Sequence, residues 1–212
     1  MTIRSQPSNQ SIYRNAMISI PANGILLRDF RRDDLSQYQI LRSDPKFQRF
    51  YSEEDSAPDK AKELLRMFIS QRDEAPRTKY QLAVVSDSGD LMGSCGIRIE
   101  SPGHASIGCE LGRRWHGTGA ARYAVDALLE FGFLELAVQR IFAETISENK
   151  AAIRLCKTVG MRVESEHVND RHFKGREWTT TVLAISRNEW QVDHARREPR
   201  QGRHPNGSFL KL

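Results

Sequence analysis

The sequence predicts an α/β fold of the α+β kind, a mixed and mostly antiparallel central sheet flanked by helices. Three observations carry this. Apolar runs in the middle of the chain are separated by turn residues, which reads as hairpins. Late in the chain, helical stripes alternate with strand-like runs. Two of the runs, 105–111 and 140–146, are separated by a segment of helical character, so they pair by a parallel crossover.

Taken in order, residues 25–30 open with a strand, and Asp33 and Asp34 supply a helix start for Leu35–Leu41. Asp44-Pro45 ends that helix. Residues 46–76 are charged and helix-prone, with a stripe at Ala61, Leu64, Leu65, Phe68 and Ile69. Tyr80–Val85 and Leu91–Glu100 form a hairpin about the turn 86–90, and the turn 101–104 leads into the strand Ala105–Leu111. A helix follows over 118–136, with Ala121, Ala124, Val125, Leu128 and Gly132 on one face. Arg140–Ile146 is a strand, and Ala151–Val159 a short helix stopped by Gly160. Met161–His167 and Thr179–Ile185 are the last strands, joined by a polar loop.

Hydrophobic residues make up 39% of the 212, below the usual globular share of about 45–50%. The shortfall points to the ends. Residues 1–19 carry Arg4 and Arg14 and no acid, and residues 191–212 carry a net +3, so the ends hold the whole formal charge of +5. The expected organisation is a disordered basic tail over 1–19, one domain over 20–190, and a basic, disordered tail over 191–212. Such tails also suit contact with RNA or a ribosome, as a secondary reading. No run reaches the roughly 18 apolar residues of a membrane span, so no membrane contact is expected, and residues 1–20 lack a secretory leader pattern. Cys95, Cys109 and Cys156 are odd in number, widely spaced and without a CxxC, which fits a reducing cytoplasm. No His/Asp/Glu set has metal-ligand spacing, so no metal is expected.

The stretch RRWHGTGAA, Arg113 to Ala121, lies between a strand and a helix. The first turn of a helix has N–H groups without intrahelical partners and the positive end of the dipole. Gly117 and Gly119 remove side chains that would bar a phosphate from that backbone, and Arg113, Arg114 and His116 add positive charge. A dinucleotide fingerprint fails because Arg122 occupies the third glycine position, and no P-loop is present. On this loop alone, a structural turn fits as well as a phosphate site.

The wider pattern resembles a known family. Arg114-Trp115-His116-Gly117-Thr118-Gly119 fits the Q/R-x-x-G-x-G/A signature of the GNAT superfamily of N-acetyltransferases, which use acetyl-CoA. "LLRDFRRDDLSQYQILRSDPKFQRF" is similar to the N-terminal region of its RimJ/RimL-like branch, and "LAVVSDSGDLMGSCGIRI" to the central hairpin. "IGCELGRRWHGTGAARYAVDALLEFGF" resembles the cofactor strand, loop and helix, "ISENKAAIRLCKTVGMRVE" the second conserved block, and "KGREWTTTVLAISRNEW" the closing strand. The resemblance is collinear from about residue 25 to 190.

It implies a sheet whose strands splay after the cofactor strand and hold CoA in the gap. Leu111 and Arg113 would offer main-chain groups to the pantetheine arm and acetyl carbonyl, and Arg114 to Ala121, including Thr118 and Ala120, would face the pyrophosphate. Asn149 matches the asparagine that bonds the pantetheine region, and it also suits a helix N-cap. The implied reaction is attack of a neutral primary amine, of a protein or a small molecule, on the thioester in a ternary complex. Glu110, where the branch often carries Glu, and Glu144, placed like the catalytic glutamate of RimI-like relatives, are the candidate bases. The acid position departs from the family. The usual Tyr is Cys156 and the alternative Ser is Ala152; Cys156 is a candidate acid or a buried helix cysteine. The rival reading is a non-catalytic acyl-CoA-binding regulatory module, and a homodimer is allowed.

Overall fold

The computed structural model describes residues 17–197. Within them the strands are β1 (Ser19–Ala22), β2 (Ile25–Asp29), β3 (Lys79–Ser86), β4 (Leu91–Ser101), β5 (His104–Leu111), β6 (Arg140–Ile146), β7 (Arg162–Phe173) and β8 (Arg176–Ser186). They form one sheet in the order β1-β2-β3-β4-β5-β6-β8-β7. Every neighbouring pair is antiparallel except β5 and β6. The helices are α1 (Leu35–Arg42), α2 (Lys60–Arg72), α3 (Ala120–Glu130), α4 (Lys150–Thr158) and α5 (Arg187–Arg197). None is long and apolar enough to cross a membrane.

Strand alternation divides the core into two layers. On β3, Tyr80, Leu82 and Val84 face a cluster that takes in α3, α4 and Trp190, whereas Ala83 and Val85 face α1 and α2 through Phe30, Tyr38, Leu65 and Phe68. Leu128 and Leu129 of α3 are fully buried, each contributing about 1.5–3 kcal/mol. The stripe expected on 46–76 is real: Ala61, Leu65 and Phe68 are buried, with Leu64 and Ile69 packed beside them.

Where β5 and β6 meet, the sheet divides. Their pairing covers only His104↔Arg140, Ala105↔Ile141 and Ser106↔Phe142. Beyond that, β5 continues on β4 through Leu111, and β6 continues on β8 through Ile146. The two strands part, as expected from the resemblance.

Some expectations differ from what folds. The polar loop between the last strands is instead an extension of both, closing at Lys174-Gly175. Its residues are polar because the ribbon is exposed there. The predicted helix over 118–136 starts at Ala120, after Gly119 at φ 87°, and its end is a π-turn at Phe131–Glu135. β1 has no counterpart in the sequence reading because four residues holding a proline make a weak strand signal. At the C-terminal boundary, α5 carries helix into the segment read as a tail, with Trp190 buried against Phe133 at 5.2 Å between rings. At the other end Ile18 is buried, its N–H donating to Asp29 Oδ2 at 2.8 Å. The basic residues Arg4, Arg14, Arg200, Arg203 and Lys211 lie outside the described residues.

Candidate active site

The cleft lies where β5 and β6 separate. It holds about 600 Å³ and is walled by Ser94 of β4, Cys109 and Glu110 of β5, Glu144 of β6, Asn149 and Cys156 near α4, and Tyr51 and Asp55 of the α1–α2 connection. The sequence-predicted catalytic residues, Glu110, Glu144 and Cys156, therefore share one cavity with Asn149. A shallower groove of about 510 Å³ between β1 and α3 contains none of them.

Glu110 is the most constrained. Ser94, its cross-strand partner, donates to Oε1 at 2.8 Å, and Tyr38 donates to the same oxygen at 3.2 Å. The Tyr51 hydroxyl donates to Oε2, and Arg42 Nη1 stands 3.6 Å from Oε1. Both tyrosine hydroxyls are pushed well above the usual phenol range, first by burial and then by the charge of Glu110, so they stay donors. Only 18% of the Glu110 side chain is exposed.

Glu144 is in a different setting. Its side chain is 46% exposed, and Arg171 Nη2 of β7 donates to Oε2 at 3.1 Å. Asn149 Oδ1 accepts from Ala152 N at 3.2 Å, so it caps α4 while lining the cleft. Cys156 is buried on α4, and burial pushes its thiol up to about 11. Ala152, the alternative acid position, adds only a methyl group.

The glycine loop begins as β5 ends. After Leu111, a short 3-10 turn spans Arg113–Trp115, then Gly117 and Gly119 take φ of 79° and 87° before α3 starts. Positive φ strains any residue with a Cβ, which is why glycine stands at both. A Cβ at Gly117 would touch nothing within 4 Å, so the backbone there is open to an approaching group. Thr118 Oγ1 donates to Trp115 O at 2.8 Å and accepts from Ala120 N at 3.3 Å. Ala121 is half-buried behind the first turn. Arg113 and Arg114 are exposed, Arg114 lying over Trp115 at 4.5 Å and pairing with Asp90 at 3.2 Å. His116, also exposed, has a main-chain partner of its own. Its Nε2 lies 3.0 Å from the Leu111 carbonyl oxygen, which can only accept, so that nitrogen carries hydrogen and the ring braces the end of β5.

The sequence reading missed Tyr38, Arg42, Tyr51 and Ser94, which surround Glu110. The three from α1 and the connection after it lie 59 to 72 positions from Glu110, and no local pattern marks them. For Ser94 the signal was hairpin register, which a β-bulge shifts between Ile99 and Ser101.

A mixed sheet that parts beside a glycine-opened helix start, with carboxylates on both lips of the gap, is the arrangement that the resemblance to acetyl-CoA-dependent transferases implied. Residues 25–162 match the Acetyltransferase (GNAT) domain, and the chain belongs to that family. It is an N-acetyltransferase, and the family implies acetyl transfer from acetyl-CoA. An uncharacterized N-acetyltransferase, p20, of Bacillus licheniformis is 26% identical over 132 residues, covering 61% of this chain and 74% of that one. The fold matches a GNAT-family acetyltransferase from Bacillus anthracis at a TM-score of 0.71 and 20% identity, covering 81% of this chain and 99% of the other. It also matches the spermidine N-acetyltransferase of Vibrio cholerae, in complex with CoA and spermine, at a TM-score of 0.68 and 19% identity, covering 79% and 98%.

Proposed function

We propose that this chain, as a member of the RimJ/RimL-like branch, moves an acetyl group from acetyl-CoA to a primary amine by direct attack in a ternary complex, with Glu110 receiving the amine proton. The observation that carries this is the parting of β5 from β6 with Glu110 on the lip next to the glycine loop. In this reading acetyl-CoA lies along the gap. The main chain of Leu111 and Arg113 meets its acyl end, Asn149 meets its pantetheine arm, and the backbone from Arg114 to Ala121 meets its diphosphate.

An amine must be neutral to attack, and lysine side chains ionise near ~10.4. A base that is mostly excluded from solvent and fixed by three hydroxyl donors loses little in reorganisation when a proton arrives. Glu110 meets that description, and Glu144, half-exposed and paired with Arg171, serves the cleft mouth. Cys156 is left out as the acid. A thiol held near 11 does not readily protonate a thiolate whose own ordinary value is about 8.5. Water supplies that proton, and Cys156 forms part of the wall.

A solved relative that holds spermine beside CoA supports an amine, small or on a protein, as the acceptor class. The test is thiol release from acetyl-CoA with a panel of polyamines, amino sugars and peptides, run beside calorimetry with CoA. Turnover with at least one amine is expected. Absence of CoA affinity removes the proposal.

A further inference from the structure

One buried cation stands between two walls of the cleft. Arg42 closes α1 with its side chain 9% exposed. Its Nη2 donates to the Asp55 carbonyl oxygen at 2.7 Å, holding the turn that brings Tyr51, Ser52 and Asp55 to the cleft. Its Nη1 donates to the Tyr38 hydroxyl at 3.3 Å and stands 3.6 Å from Glu110 Oε1. The guanidinium carbon lies 5.7, 5.7 and 5.2 Å from the ring centroids of Tyr38, Phe47 and Tyr51. Gln48 Nε2 donates to the Arg42 carbonyl at 2.8 Å, adding a second tie to the same connection.

The geometry points to Arg42 as a positioning residue, a forked cation that sets the 51–55 wall at a fixed spacing from the Glu110 carboxylate. Its catalytic meaning rests on the acetyl transfer proposed above. A guanidinium directs several donors in one plane, so it can bond the Asp55 carbonyl and face the carboxylate at once; an ammonium is a point charge that satisfies one of these. The groups facing Glu110 are Tyr38 and Arg42 from α1, Tyr51 from the following connection, Ser94 from β4 and its own neighbour Cys109. Arg42 is the one cation in that set. Loosening it should disturb the position of that wall.

Two variants test the fork. Arg42→Met removes both fork and charge, and Arg42→Lys keeps the charge alone. In both, backbone amides of 51–57 should exchange with deuterium about tenfold faster than in the wild type. In amine kinetics, Arg42→Lys should raise KM about tenfold and leave kcat within about threefold. Unchanged exchange in Arg42→Lys overturns the assignment, and so does a fall in its kcat as large as the rise in its KM. If Arg42→Met fails to fold, Arg42→Lys still decides through exchange and the KM-against-kcat split. Coenzyme affinity should survive in Arg42→Lys; its loss would mean that Arg42 acts on the whole fold and would also overturn the assignment. Exchange needs no acceptor. A wild type without affinity for acetyl-CoA would therefore sink the proposed function and leave the Arg42 result standing.

Discussion

A carboxylate with three hydroxyl donors and a guanidinium beside it has almost no freedom to turn, and Glu110 is held this way on the lip of the cleft. If that fixed oxygen takes the amine proton, Glu110→Gln should cut kcat by about 10²–10³ with KM for acetyl-CoA little changed. Glu144→Gln should act mainly on the amine KM, because Glu144 is half-exposed and paired with Arg171. Equal loss in the two variants would remove the distinction. The glycine loop gives a second test at this scale. Gly117 has open space around it but a φ of 79°, so valine there would strain the backbone and screen its N–H groups. CoA affinity by calorimetry should fall at least about tenfold, equivalent to 1.4 kcal/mol, in Gly117→Val and Gly119→Val. Gly119 also stands against Tyr123, where an added Cβ would lie 3.3 Å from Cε2.

At the scale of elements, the cleft depends on β4 approaching β5 closely enough to carry Ser94 to Glu110. Gly93 allows that approach: a Cβ there would lie 2.0 Å from the Glu110 carbonyl oxygen and 2.8 Å from Leu111 Cα. Since both are backbone atoms, relief requires a strand to move. Gly93→Ala should lower the urea stability by about 1–3 kcal/mol and weaken activity beyond that loss, because Glu110 would shift. At α4, Asn149→Ala removes the cap on Ala152 and should cost about 1 kcal/mol, read by thermal melting. The hairpins, the crossover and α4 were legible because turn residues and apolar periods are local. The Ser94–Glu110 pairing was not. Continued from Ser101↔His104, the ladder would place Ser94 opposite Leu111, and the irregularity between Ile99 and Ser101 moves it by one residue. A one-residue slip reverses which face each side chain takes, so a bulge that sequence does not announce decides the site.

For the molecule as a whole, buried ionisable groups set the response to pH. Burial pushes the thiols of Cys156 and Cys109 up to about 11 and about 12, and that of Cys95 upward as well. In the unfolded chain thiols ionise near ~8.5. Above that pH the unfolded state holds fewer protons, so stability is full below about 8.5 and declines as pH rises toward the folded values, by up to about 1.4 kcal/mol per pH unit for each thiol. Urea unfolding at pH 7, 8.5 and 10 should show this decline, with a shallower fall in Cys156→Ala; a flat profile to pH 10 would contradict it. The buried pair Arg77–Asp29, at 2.6 Å, ties the segment leading into β3 to β2 while Asp29 also accepts from Ile18 N. Arg77→Met, which leaves Asp29 without its cation, should cost about 3–5 kcal/mol. By itself the sequence determined the order of elements from β2 to β8, the glycine loop and the family, since each is written in short-range periodicity or in a motif of adjacent residues. Only the tertiary structure decided that Tyr38, Arg42 and Tyr51 close around Glu110, that His116 braces Leu111, and that Cys156 is walled in. These depend on which distant segments pack together, and packing is settled by the whole core at once.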